Sequence, residues 1–461
     1  MESVREATQK TSGKKRLLPR IVIYVSIALG IVIIAGATVL YTLPDSFYDG
    51  ILKSNITKAF QSAYPQYSLK IARTHYKISA NVLECDSLSI EKPGDPSSYN
   101  IDYISLNGID RVALFFNHQN TFDVFARSEI DIKGITVDFP KSQYKIRCSE
   151  ARLSIADSTI VADTAAIQPE TNDAHFFATS SFRKTRFLAV IPGCIIRGID
   201  FQGMLRNSRW DIRYIEFQRA MFNVMMDKEK PANPHASNPL TPEELLRSIA
   251  VPLRIDSFNI IDGKLRYFER FKLDAQPAEL RADSVQMTAA CISNRGDSGE
   301  SMVFRAQGRF MDACIMKLRF EFPLSTPAFT FQYSGSCDRM DLSHINLWLE
   351  PAEYKRIKSG VLQSAVFHIN VINGKAAGSV KAQYDGLALA ALDENLHEEG
   401  LFQRFVSFLA NMFKIRGSNE PDKNGMLKIG MVKATKKPDD AFFKFIWIAL
   451  RGGLGDIVGF K

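Results

Sequence analysis

VFHINVINGKAAGSVKAQY, residues 366–384, is the stretch of sequence that decides the fold. Apolar and polar residues alternate on both sides of Asn373-Gly374, and a period of two predicts half-buried β-strands. Asn-Gly is favoured in the tight turn of a β-hairpin, because both central residues of that turn need a positive φ. The stretch therefore predicts two antiparallel strands, each with one apolar and one polar face.

Similar alternating runs fill most of the chain from Tyr67 onward, and Gly, Asn, Asp or Pro interrupt them. In LRIDSFNIIDGKLRYF, residues 253–268, Asp262-Gly263 predicts another hairpin turn. Three further segments have the form strand, Gly, strand, which suggests hairpin-like units: residues 101–116, 130–139 and 195–205. The fold class predicted is mainly β with a few helices, built as an elongated, curved antiparallel sheet with helices at its ends.

The predicted helices lie mostly near the two ends of the chain. Residues 44–63 form an amphipathic helix that either lies on a membrane surface or packs on the sheet as an ordinary first helix. Thr241-Pro242 begins a short helix that ends near Ala250. Residues 401–415 are strongly amphipathic, and residues 425–434 predict a last strand. Residues 441–450 are too short to span a bilayer, so we expect them to cover the open end of the sheet rather than enter a membrane interface.

IVIYVSIALGIVIIAGATVLYTL, residues 21–43, contains no charged residue and is long enough for a transmembrane helix. The 20 residues before it carry six basic and two acidic side chains, so the positive-inside rule places them in the cytoplasm. A cleaved signal peptide that ends near Ala35-Gly36-Ala37 is the alternative. Both interpretations send the remaining chain across the membrane.

These features divide the chain into six predicted segments. They are a basic cytoplasmic tail (1–20), a transmembrane helix (21–43), a first β-rich part with an initial helix (44–226), a linker with a short helix (227–252), a second β-rich part (253–395), and C-terminal helices with one strand (396–461).

Charge, cysteines and motifs give no sign of an enzyme or a nucleic-acid partner. The net charge is +8, and half of it belongs to the basic tail. The six cysteines lie far apart without a C-x-x-C pair, and they predict neither a zinc site nor a disulfide pairing. We find no metal-binding histidine spacing, nucleophile elbow or phosphate loop. The sequence therefore predicts a protein that is not an enzyme and that needs no metal or cofactor.

The many alternating strands present more apolar surface than the few predicted helices can cover. The ordinary solution is a closed sandwich or barrel with a dry core. The other solution is an open, curved sheet whose inner face holds lipid acyl chains. The candidate lipid-groove residues on these strands are Phe258, Ile260, Leu318, Phe320, Phe329 and Phe331.

The layout of the chain resembles the AsmA-like proteins of diderm bacterial envelopes, which include the TamB type. The resemblance rests on the span after a basic tail and on three stretches: LRIDSFNIIDGKLRYFE (253–269), GVLQSAVFHINVINGKAAGSVKAQYDGLAL (360–389) and AFFKFIWIALRGGL (441–454). It implies a single-pass inner-membrane protein with a periplasmic β-groove that takes part in outer-membrane biogenesis and moves phospholipid or another acyl lipid between membranes.

The body is shorter than that of the long family members, so the resemblance also implies envelope protein partners or self-association. A non-enzymatic assembly scaffold with a closed β core and no lipid cargo is the alternative function. An anchored enzyme of unrecognised class is the third.

Overall fold

A computed structural model describes residues 30, 31, 34, 35, 38, 49–77, 79–110, 124–207, 209–234, 242–272, 275–295, 299–325, 329–393, 396, 415–437 and 440–459. Eighteen strands of these residues form one large curved sheet, which confirms the predicted mainly β fold. The strands are β1 Ser68–Lys77, β2 Val82–Lys92, β3 Asp95–Asn107, β4 Glu129–Phe139, β5 Tyr144–Ser154, β6 Thr159–Pro169, β7 Thr185–Ile199, β8 Trp210–Gln218, β9 Met221–Asp227, β10 Leu253–Arg270, β11 Ala278–Ser293, β12 Ser301–Phe310, β13 Cys314–Pro323, β14 Phe331–Cys337, β15 Met340–Asp341, β16 Lys355–Ile372, β17 Lys375–Ala391 and β18 Ile429–Thr435.

Six α-helices are described beside the sheet. They are α1 Asp49–Ala63, α2 Asp173–Ala178, α3 Phe201–Asn207, α4 Pro242–Arg247, α5 Asn346–Glu353 and α6 Phe442–Val458, and a 3₁₀ turn, Leu342–Ile345, precedes α5. The amphipathic helix predicted over 401–415 falls almost entirely outside the described residues.

The predicted span 21–43 also lies mostly outside the described residues. Five of its positions are described, and all five are helical: residues 30, 31, 34, 35 and 38. Ile31 and Ala35 are buried in the core near the start of the sheet. Among the described residues, no helix combines the length and the apolar composition that crossing a bilayer requires.

The sheet is mixed, whereas we expected it to be antiparallel throughout. Consecutive strands pair antiparallel except at two places. β14 and β15 both pair with β16, antiparallel to it. β8 and β9 lie end to end between β7 and β10, and both run parallel to β10. Parallel neighbours need a crossover of a dozen or more residues. The chain between Asp227 and Leu253, which includes α4, supplies that crossover, so both β-rich parts belong to one sheet.

A row of positions without a cross-strand partner, which we call the crease, crosses the sheet from β1 to β11. At this level one residue of each strand has no partner on the neighbouring strand, and between β10 and β11 the unpaired step is longer and irregular. The crease residues are Ala72, Ser87, Asp102, Gly134, Ser149, Thr164, Pro192, Arg219, Asp262 and Ser284. Six of them have a positive φ: Ser87, Gly134, Thr164, Arg219, Asp262 and Ser284. Such residues depart from extended backbone, so the neighbouring strands bend at the same level.

The crease explains why the apolar residues change their spacing in the middle of a strand. On β3, the buried apolar residues are Tyr99, Ile101, Ile104 and Leu106, so two residues instead of one separate the inner pair. The extra residue keeps both halves of the strand facing the same core. The same spacing of two, three and two recurs in Leu83, Cys85, Leu88 and Ile90 of β2, and in Ala189, Ile191, Cys194 and Ile196 of β7.

The hairpin predicted at Asn373-Gly374 is confirmed, since both residues have a positive φ and connect β16 to β17. The hairpin predicted at Asp262-Gly263 is wrong, because Asp262 is a crease residue within the single strand β10. A bulge and a tight turn both favour residues that tolerate a positive φ, and Asp262 has φ 54°.

The strand, Gly, strand units are also corrected. Gly134 is a crease residue with a positive φ inside β4, and Gly198 has a positive φ near the end of β7, where helix α3 follows instead of a strand. Gly108 comes directly after β3, and most of the second strand predicted in 101–116 falls outside the described residues.

Gly134 offers a direct test of the crease. Its φ is +65°, and an added Cβ would collide with the Asp102 carboxylate on β3. We expect Gly134→Val to lower the free energy of unfolding by about 2 kcal/mol, because a β-branched residue is strained at positive φ. Gly193→Val on β7 is the matched control, since its Cβ would meet only ordinary contacts from 3.5 Å outward. Chemical denaturation that gave equal losses for both variants would contradict this account.

Candidate functional site

The two faces of the sheet differ sharply in chemistry, as two adjacent cross-strand rows from β11 to β18 show. One row is almost wholly apolar: Met287, Ala306, Leu318, Gly335, Phe367, Val380 and Gly430. The next row is mainly polar: Thr288, Arg305, Arg319, Ser334, His368, Ser379 and Met431. We call the apolar side the inner face, because it carries the main cores.

A helix covers the inner face at each end of the sheet. Ile56 and Phe60 of α1 are fully buried among the inner residues of β1 to β4. Phe442, Phe445, Ala449 and Ile457 of α6 are buried against β13 to β18. The structure therefore shows the predicted C-terminal helix covering the sheet, and it shows α1 packed as an ordinary first helix.

Between these two ends, inner side chains of β7 to β11 remain partly exposed. We call this set the central strip: Ile191, Cys194, Phe217, Phe222, Phe258, Leu265, Leu280 and Met287. They lie on both sides of the crease and on directly neighbouring strands, as in the cross-strand series Cys194, Phe217, Ile260 and Met287. Trp348 of α5 stacks on Tyr267 beside Leu280, at one end of the strip. The strip is thus an apolar surface of neighbouring strands whose side chains stay partly exposed.

Two of the six predicted groove residues lie at the central strip. The Phe258 ring makes an edge contact with the Phe217 ring at 5.0 Å between centroids. Ile260 is buried between Phe217 and Met287 on the neighbouring strands. Phe258 therefore lies on the accessible part of the inner face, and Ile260 lies buried directly beneath it.

The other predicted residues lie on the inner face nearer to α6. The Phe442 ring of α6 lies 6.1 Å from the Phe320 ring, 6.2 Å from the Phe329 ring and 5.3 Å from the Phe331 ring. Leu318 is half-buried on β13, between Ala306 and Gly335. Phe320, Phe329 and Phe331 thus belong to a covered aromatic core, and the structure does not bring them to the central strip.

Sequence reasoning missed most of the central strip, including Phe217, Phe222, Leu265, Leu280 and Met287. A usable signal was present, since Ile215, Phe217, Ala220 and Phe222 repeat the two, three, two spacing of the crease. A search for strict alternation misses this spacing, because the apolar pattern changes phase where each strand crosses the crease.

Thiols report on the environment of the inner face. All six cysteines are described, and each is a free thiol. Burial raises the pKa of the Cys194 thiol to about 11, and the nearby Cys148 adds to the effect. Burial likewise raises the pKa of Cys85 to about 12. A higher thiol pKa means that the neutral form is favoured, as expected in apolar surroundings.

We therefore expect Cys194 to react with iodoacetamide at pH 8 about twentyfold more slowly than a cysteine in an unstructured peptide. A raised pKa reduces the thiolate fraction more than it increases the nucleophilicity of the thiolate. The rate should rise about tenfold per pH unit between pH 8 and 10. Peptide mass spectrometry would measure both rates, and a peptide-like rate at pH 8 would show that water surrounds this part of the inner face.

Within the described part of the chain, no three His, Cys, Asp or Glu side chains come together in a way that could hold a metal ion. Comparison with known proteins finds no family model and no curated protein that matches this chain. The chemistry of the central strip is therefore the main guide to function.

Proposed function

We propose that this protein binds acyl lipid on the inner face of its sheet and takes part in outer-membrane biogenesis. The observation that carries the proposal is the central strip, where aligned apolar side chains stay accessible between two covered cores. Covering such a surface with acyl chains gains about 0.8 kcal/mol for each buried CH₂ group. A curved sheet with this face open is a β-groove.

The dimensions of the strip suit one lipid leaflet. It crosses four strand positions, from β7 to β11, and neighbouring strands lie about 4.8 Å apart, so it is roughly 15 Å wide. One leaflet contributes about half of a hydrocarbon core of roughly 30 Å. The width of the strip is therefore similar to the length of an acyl chain in one leaflet, so a chain that lies across the strands is covered along its length.

The proposal places the body in the periplasm. Residues 21–43 anchor it in the inner membrane, and residues 1–20 lie in the cytoplasm. The layout and motifs that resemble the AsmA-like family support this arrangement and favour phospholipid as the cargo. Partner proteins or further copies of the chain would extend the path between the membranes.

The test is lipid extraction and mass spectrometry on the full chain, purified in a mild detergent and exchanged into a second one. We expect phospholipid or another acyl lipid in near-stoichiometric amount after exchange. A monodisperse protein without lipid would overturn the proposal.

The second candidate function is an envelope assembly scaffold without lipid cargo. The two covered cores favour it, since each buries apolar side chains between sheet and helix. The lipid measurement separates the two functions, because a scaffold has no reason to retain acyl chains on the central strip.

A further inference from the structure

Three cations surround the C-terminal end of α2, at the edge of the sheet where β6 ends and β7 begins. The Lys230 ammonium donates to the carbonyls of Phe177 and Ser180, both at 2.6 Å. The Lys184 ammonium donates to Gln143, to the Phe176 carbonyl and to Thr179. Arg183 Nε donates to the Lys230 carbonyl at 2.9 Å. We call Arg183, Lys184 and Lys230 the basic cluster.

The basic cluster differs from its neighbours in how its charge is compensated. The adjacent cations are paired with carboxylates: Arg186 with Asp173, Arg270 with Asp227, and Lys228 with Glu269. Among the residues that the structure describes, no carboxylate pairs with Arg183, Lys184 or Lys230, and the exposed Glu229 makes no ion pair with them. Burial and then the charge of Lys230 lower the pKa of the Lys184 ammonium. This corner of the sheet thus carries an excess of positive charge.

The basic cluster also has free hydrogen-bond donors. An ammonium group has three N–H bonds, and Lys230 uses two of them within the described structure. Arg183 is exposed and uses Nε, so its two terminal nitrogens face solvent as a planar fork. Such a fork suits the oxygens of a phosphate group.

A chain of ring contacts connects the basic cluster to the central strip. The Lys184 ammonium lies 3.6 Å from the centre of the Phe176 ring. Phe176 and Phe177 pack with Ile167 and Phe187. The Phe187 ring lies 6.4 Å from the ring of Phe222, which belongs to the central strip. The basic cluster and the central strip thus lie on the two sides of one small buried core, with Phe222 at the end of the strip nearest to the cluster.

We propose that the basic cluster binds the phosphate group of an anionic lipid whose acyl chains lie on the central strip. This inference rests on the proposed function and adds to it an orientation for the bound lipid, whose headgroup lies at the β6–β7 edge. Inorganic phosphate shares the same chemistry and is the other source that a test must separate.

In the test, the full chain in detergent is incubated with an equimolar mixture of phosphatidic acid and diacylglycerol that have identical acyl chains. Mass spectrometry then measures how much of each lipid remains bound. We expect about tenfold more phosphatidic acid, since hydrogen bonds to a charged group are among the stronger ones. In Arg183→Gln/Lys230→Gln the two lipids should be retained about equally, with diacylglycerol unchanged from the wild type. Lys317→Gln, at an exposed position on the polar face of β13, is the control and should keep the preference.

The outcomes distinguish this inference from the proposed function. Equal retention of both lipids by the wild type would overturn the headgroup site and leave the groove standing. Retention of neither lipid would overturn both. A third outcome combines two results: inorganic phosphate binds the lipid-free chain through Arg183 and Lys230, and the chain shows no preference for phosphatidic acid when inorganic phosphate is absent. This outcome would overturn the assignment of the site to a lipid.

A further variant covers the case in which the double variant does not fold, since Lys230 also caps α2. Arg183→Gln alone removes the exposed fork and the Nε hydrogen bond to the Lys230 carbonyl, but it leaves the Lys230 ammonium on the α2 carbonyls, and it should reduce the preference about threefold. A folded Arg183→Gln variant with the full preference would contradict the role of the fork.

Discussion

Leu265→Glu is expected to abolish retention of acyl lipid while the sheet stays folded. Leu265 belongs to the central strip, opposite Phe222 and Ala282, and 43% of its surface is exposed. A glutamate there is solvated in the lipid-free protein, so the free energy of unfolding should change by less than about 1 kcal/mol. A bound acyl chain would have to desolvate the carboxylate, at a cost of several kcal/mol. Lipid per protein, measured by mass spectrometry, and the thermal midpoint together check both expectations.

Met221→Glu is the matched control for this variant. Met221 lies on the neighbouring strand β9 and is 41% exposed, but it pairs with Lys264 and so points to the opposite face from Leu265. We expect this variant to retain lipid at the level of the wild type. Equal losses in both variants would indicate a nonspecific effect of charge, and full retention by Leu265→Glu would remove the central strip as the binding surface.

A charge at Phe320 would be a poor test of the same idea. Its ring stacks on Tyr333 at 5.6 Å and contacts Phe442 of α6, so it lies in a covered core. A carboxylate at this position would be buried without a partner and would destabilise the fold whether or not the protein binds lipid.

Local features of the fold were predictable from the sequence, and non-local ones were not. The hairpin at Asn373-Gly374 follows from two residues and their flanking alternation. Asp262-Gly263 has the same local chemistry, but whether it forms a turn or stays within a strand depends on the crease residues of the neighbouring strands. The parallel pairing of β10 likewise depends on where the chain returns after β9, which no local pattern determines.

The candidate site shows the same limit. The choice of Phe258 and Ile260 needed only the alternation within β10, and the structure places both on the inner face. Whether an inner side chain is accessible depends on distant elements, and α6 packs over Phe320, Phe329 and Phe331 from more than a hundred residues along the chain. Accessibility therefore could not be predicted from the strand pattern alone.

Phe442→Ala is expected to lower the free energy of unfolding by about 3–5 kcal/mol. The Phe442 side chain is 7% exposed, and its ring contacts those of Phe320, Phe322, Phe329 and Phe331 at centroid distances between 5.3 and 6.2 Å. Truncation to alanine removes the apolar contact with all four rings and leaves a cavity between helix and sheet. Chemical denaturation of the full chain in detergent measures the loss.

Phe443→Ala is the control, since it changes the same residue type at the next position of the same helix. Phe443 is 75% exposed and makes its ring contact with Phe442. Because truncation of an exposed side chain leaves no buried cavity, we expect a loss within about 0.5 kcal/mol. Similar losses for both variants would mean that α6 is not held to the sheet by one face. A stable Phe442→Ala variant would show that α6 does not close this end of the inner face, and the accessible apolar surface would then extend from the central strip as far as β18.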